Sequence, residues 1–104
     1  MAMQLTVLLA AVRTPLHYAV VCKNVDIARM LLKNGAKVDM KLERGVTPLH
    51  WAAEGGSKEM CELLLTSRAD ANATDKNGRT ALWYARDKGH TEIADLLRKH
   101  GAKE

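Results

Sequence analysis

Phenylalanine is absent from the 104-residue chain, and two tryptophans with two tyrosines bring the aromatic share to only 4%. A core must then come from aliphatic and small side chains at close spacing, which favours packed helices over a sandwich or barrel. Cysteine occurs only twice, at Cys22 and Cys61. The two fit neither a metal or redox spacing nor a dense disulfide framework, and so point to a reducing compartment, cytoplasmic or nuclear. Hydrophobic runs are short as well, and none approaches the roughly 20 apolar residues that cross a bilayer. The opening "MAMQLTVLLAAVRT" has an apolar stretch of signal-peptide length but no positively charged start, which argues against secretion.

Along the chain, charge of one sign is not gathered into a run. Sixteen Lys and Arg against twelve Asp and Glu leave a net charge of +4, but the two signs are interleaved. A polyanion site needs its basic residues clustered, so charge alone assigns no nucleic-acid partner. Proline is also scarce, and both copies, Pro15 and Pro48, directly follow a threonine.

That coincidence is part of a period. "RTPLHYAV" at residues 13–20 returns as "VTPLHWAA" at an offset of 33. On the same offset fall Thr14, Thr47 and Thr80; Leu16, Leu49 and Leu82; Ala19, Ala52 and Ala85; Leu31, Leu64 and Leu97; and Ala36, Ala69 and Ala102. A repeat of this length is the mark of stacked supersecondary units within one domain, residues 1–104, with repeats at about 13–44, 45–77 and 78–104.

Local signals spell two short helices per unit. Thr14 and Thr47 are N-caps whose hydroxyls accept first-turn amides, and the following prolines lie where a missing N–H costs nothing, so helices of about eight residues start there. Gly56 and Gly89 supply left-handed helix ends. "VDIARMLLKNG", "KEMCELLLTSR" and "TEIADLLRKHG" carry apolar residues at i, i+3 and i+4, such as Ile27, Met30 and Leu31 or Ile93, Leu96 and Leu97. Gly45 and Asn77-Gly78 mark hairpin-like connections between units. One such helix pair cannot bury enough surface to offset its ordering entropy, whereas stacked copies cover each other.

These residues carry a resemblance: the three units resemble the ankyrin repeat in length and in the TPLHxA signature. It is close in "GVTPLHWAAEGGSKEMCELLL" and "GRTALWYARDKGHTEIADLLRKHGA", clear in "TPLHYAVVCKNVDIARMLLKNGAKVD", and covers residues 13–102. It implies an all-α fold, a solenoid of stacked antiparallel helix pairs joined by β-hairpin-like loops. It also implies a non-enzymatic scaffold that binds a protein partner across the hairpin tips and the concave face of the first helices.

Carried over by register, the partner-facing positions are Lys41, Glu43, Arg44 and Val46 in one connection and Thr74, Lys76, Asn77 and Arg79 in the next. On the first helices they are Val21 and Cys22, Glu54 and Gly55, then Asp87 and Lys88, joined by Arg86 where the family has alanine. The set tilts basic, so a partner with acidic segments is favoured in encounter rate. Leu64, at a central interface, is expected to matter for folding, and Arg44 and Arg79 only for binding.

The start departs from the pattern. Val12 stands where a turn glycine is expected, and Leu5, Val7, Leu8, Leu9 and Val12 cannot all face inward on one short segment. Residues 1–12 are therefore expected to leave an apolar edge usable for homo-oligomeric association or for a neighbouring domain. At the other end Arg98, Lys99 and His100 give the polar outer face that a terminal repeat needs.

Catalysis and metal or cofactor binding find no support. No GxSxG, HExxH, P-loop or paired CxxC occurs. His17 and His50 hold equivalent places in neighbouring units, where each imidazole is expected to tie its own helix start to backbone or threonine groups. Trp83 replaces the histidine and Ala81 the proline in the third unit, which a catalytic or metal pair would not tolerate. Trp51, Tyr84 and Tyr18 share the next position and read as inter-repeat packing residues. With aromatics at packing positions, nucleic-acid binding is the weaker reading.

Overall fold

The computed structural model describes residues 15–42 and 44–103. Thr14, Glu43 and the apolar segment 1–12, with its Leu5, Val7, Leu8, Leu9 and Val12, lie outside the described residues. Among those described there are six helices and no strand: α1 (Pro15–Val21), α2 (Val25–Lys33), α3 (Pro48–Gly55), α4 (Lys58–Thr66), α5 (Ala81–Asp87) and α6 (Thr91–Lys99). They pack pairwise as α1 with α2, α3 with α4 and α5 with α6. First helices stack on first helices and second on second.

The caps follow the residue types. The Thr47 hydroxyl accepts the His50 amide at 3.4 Å and the Thr80 hydroxyl accepts the Trp83 amide at 3.2 Å, starting α3 and α5. Asn24 and Ser57 do the same for α2 and α4, at 3.1 and 3.3 Å. His90, in the matching place before α6, makes no side-chain cap. Its Nε2 donates instead to the Glu54 carbonyl at 3.2 Å, tying the third unit to the second.

Helix ends and turns use the left-handed region at three registers of the repeat. Gly56 and Gly89 sit at φ 78° and 74°, Gly35 and Gly101 at 92° and 93°, Gly45 and Gly78 at 71° and 75°. Two of these registers are held by side chains that dislike the region, Lys23 at φ 57° and Arg68 at φ 73°.

The core is built of the repeating leucines and alanines: Leu16, Leu49, Leu64, Leu82 and Leu97 are buried with Ala19, Ala52 and Ala85. Cys61 is a buried core residue whose thiol is pushed up to about 12 by burial, whereas Cys22 is exposed. The apolar face expected of α2 is only partly covered. Ile27 and Met30 remain 44% and 62% exposed, although Met60 and Ile93, in Ile27's register, are fully buried or nearly so. The difference is positional, because α4 and α6 each pack on the second helix of a preceding repeat.

Candidate functional site

Backbone bonds close the connections between repeats. The Leu42 amide donates to the Val46 carbonyl and the Asp75 amide to the Arg79 carbonyl, both at 3.0 Å, closing two equivalent loops. The Lys76 amide donates to the Arg44 carbonyl at 2.9 Å, and the Lys41 ammonium reaches the Thr74 carbonyl at 3.5 Å, so the loops are joined side by side. Lower down, the Asp70 amide donates to the Asp39 carboxylate at 3.0 Å; the Lys103 amide makes the matching bond to the Asn72 side chain at 2.8 Å.

Asp75 organises the second loop. Its carboxylate accepts the Asn77 and Arg79 amides at 2.9 and 3.0 Å and a short bond from the Tyr84 hydroxyl. Burial opposes its charge, but these three donors outweigh that and hold the carboxyl below its ordinary value. The same burial, reinforced by the carboxylate, raises the Tyr84 phenol. The sequence reading passed over Asp75, though its place two residues before Asn77-Gly78 is an Asx-turn signal.

The TPLH histidines reach beyond their own helices. His50 Nδ1 accepts the Thr47 amide at 3.0 Å and lies 2.8 Å from the Thr47 hydroxyl, as expected. In addition its Nε2 donates to the Arg79 carbonyl at 3.0 Å, and His17 Nε2 donates to the Val46 carbonyl at 3.3 Å, each reaching into the following loop. Both imidazoles are depressed below their ordinary value, chiefly by burial. Trp51 packs edge-on against His17 and Tyr84 against His50, with ring centroids 5.2 and 5.7 Å apart, so both aromatics serve inter-repeat packing.

Trp83 departs from that pattern. It is 40% exposed, the Arg79 guanidinium lies 4.1 Å over its ring, and it lines an open pocket of about 630 Å³ with Leu82, Arg86, Asp87 and Lys103. It is thus a surface aromatic, since no further described loop accepts its ring.

The partner-facing positions fall into two groups. Lys41, Arg44, Thr74, Lys76 and Asn77 are exposed on the joined loops, and Val21, Cys22, Glu54, Gly55, Arg86, Asp87 and Lys88 on or just after the first helices. Val46 and Arg79 are half-buried. Their carbonyls are taken by histidines and the Arg79 side chain by Trp83, so Arg79 is not the purely surface residue that its register suggests.

Among the described residues no group of His, Cys, Asp and Glu is arranged to hold a metal, and no helix is long and apolar enough to cross a membrane. A family model described as ankyrin repeats in three copies matches residues 37–104, and a model of the single ankyrin repeat matches residues 13–41. No curated protein matches the chain.

Proposed function

The chain belongs to the ankyrin-repeat family, and from that premise we propose that it binds a protein partner across the tips of its two inter-repeat loops and the neighbouring first helices. Ankyrin repeats are protein–protein interaction modules without enzymatic chemistry. The observation that carries the reading here is the division of labour in the loops. Several of their backbone polar groups are taken up by each other, by the Asp75 carboxylate and by the histidines, while Lys41, Arg44, Lys76 and Asn77 keep exposed side chains on a pre-organised frame.

Lys41, Arg44, Lys76, Arg86 and Lys88 stand against Glu54 and Asp87 on this surface. That balance favours a partner with acidic segments. A protein whose reading rests on an interaction surface needs no cofactor, and the cytoplasm or nucleus is the compartment that suits its unpaired Cys22 and Cys61. An affinity pull-down with the full chain beside a Lys41→Ala, Arg44→Ala, Lys76→Ala variant tests the surface. A partner retained equally by both would remove the loop tips from the reading.

A homo-oligomer is the second reading, favoured by the exposed Ile27, Met30 and Met40 of the first repeat. Sedimentation of the full chain beside Ile27→Lys, Met30→Lys decides it, since a monomer in both leaves these exposed side chains without a second copy.

A further inference from the structure

A second surface is built from the second helices rather than the loop tips. Between α2 and α4 lies an open groove of about 360 Å³. Half-buried Leu32, Val38 and Leu63 line it, and exposed Arg29, Lys33 and Arg68 stand beside them.

The repeat itself does not require those cations. One period on, the apolar positions stay apolar, as Leu65, Ala71 and Leu96, while Arg29, Lys33 and Arg68 become Glu62, Thr66 and Gly101. The formal charge at the three positions therefore goes from +3 to −1. A solvated helix face chosen only for solubility has no reason to gather one sign beside one groove.

Arg68 adds an independent observation. It holds φ 73° where the equivalent Gly35 and Gly101 sit at 92° and 93°. An arginine in the left-handed region strains the backbone, and glycine would relieve it. The glycine of the other repeats would remove both the strain and the cation from the groove. Among the described residues Arg29 is engaged only by Asp26 at 3.3 Å, in a pair whose side chains are 49% and 95% exposed, so a partner's carboxylate can replace it with little loss.

We propose that this groove docks a short acidic segment of a partner protein, with aliphatic side chains lying against Leu32, Val38 and Leu63 and carboxylates meeting Arg29, Lys33 and Arg68. The apolar floor selects a peptide over a nucleic acid, whose phosphates would leave that floor uncovered. This goes beyond the loop-tip surface, and the two are separable by mutation.

The test is fluorescence anisotropy of the full chain with a labelled peptide of roughly 12 residues, glutamate on one face and leucine at i, i+4 on the other, beside its lysine counterpart. The wild type is expected to bind the glutamate peptide in preference to the lysine peptide, and more weakly as salt rises. Arg68→Gly should weaken binding by roughly three- to fivefold and Arg29→Glu with Lys33→Thr by about tenfold or more. Arg68→Gly relieves strain, so its loss of affinity cannot be blamed on misfolding, which a thermal melt verifies. The proposal is overturned by no preference for the glutamate peptide, by unchanged affinity in both groove variants, or by loss confined to Arg44→Ala and Lys76→Ala. A single-stranded oligothymidine displacing the peptide from the groove at equal affinity would overturn it too.

Discussion

The imidazole of His50 is held between two repeats, its Nε2 donating 3.0 Å to the carbonyl of Arg79, 29 residues along the chain. Nδ1 at the same time accepts the Thr47 amide, so the pair of bonds suits only the neutral ring with its proton on Nε2. Protonating Nδ1 would set an N–H against the Thr47 N–H.

Acid should therefore loosen the array through its two buried histidines. His17 and His50 are depressed below the ordinary 6.5 by burial. The unfolded chain takes up these protons first, so the neutral rings contribute stability above 6.5 that is lost as pH falls through their lower folded values. Urea unfolding should show a lower midpoint at about pH 5.5 than at about pH 7.5, with the gap narrowed by His50→Gln. A midpoint that rises on acidification would contradict the buried neutral pair.

Asp75 governs a second, more acidic window. Its carboxyl is held below the ordinary 3.8 by Tyr84 and the loop amides, so the stability it contributes is present above that value and lost as pH falls through its folded value. Asp75→Ala leaves the Asn77 and Arg79 amides and the Tyr84 hydroxyl without their acceptor. The loss should be about 1–3 kcal/mol, measured by urea denaturation at neutral pH. A change within about 0.5 kcal/mol would mean that water replaces the carboxylate without penalty.

The left-handed positions offer stabilisation. Lys23→Gly and Arg68→Gly place glycine where its register mates already have it, and each should gain about 1 kcal/mol, the relieved strain exceeding the added freedom of the unfolded chain. For a chain of this size that raises the melting temperature by about 4–8 °C apiece. Gly56→Ala should act oppositely, because φ is 78° there and a Cβ would stand 2.7 Å from the His90 ring. Thermal melts in which Arg68→Gly falls and Gly56→Ala rises would reverse the assignment.

How much of this was legible in the sequence follows from what a period can carry. Residues that recur every 33 positions, such as the threonine caps and the core leucines, announce helix pairs and their inner faces. Residues that do not recur are discarded by the same comparison. Asp75 has Leu42 as its register mate, so the carboxylate that ties the second loop left no periodic trace. Lys23 and Arg68 hide glycine positions for the same reason. The reach from His50 to Arg79 depends on the path of a loop, and Trp83 lies open because no further described loop covers it; neither is encoded in the spacing of apolar residues.

Folding and binding should separate along the division between α4 and the loop tips. Leu64 is wholly buried at the centre of the stack, between repeats on both sides. Leu64→Ala removes those contacts and leaves a cavity, for about 2–5 kcal/mol, a large share of what a small domain has in hand. Arg44, exposed at a tip, should change stability by less than about 0.5 kcal/mol when cut to alanine. Arg79 belongs between them, since its guanidinium covers Trp83 at 4.1 Å, and Arg79→Ala should lose about 0.5–1 kcal/mol and shift tryptophan fluorescence as the indole is uncovered. The order Leu64, Arg79, Arg44 in denaturation midpoints is the check. If Arg44→Ala proves the most damaging of the three, the loop tips carry the fold and cannot be the surface left free for a partner.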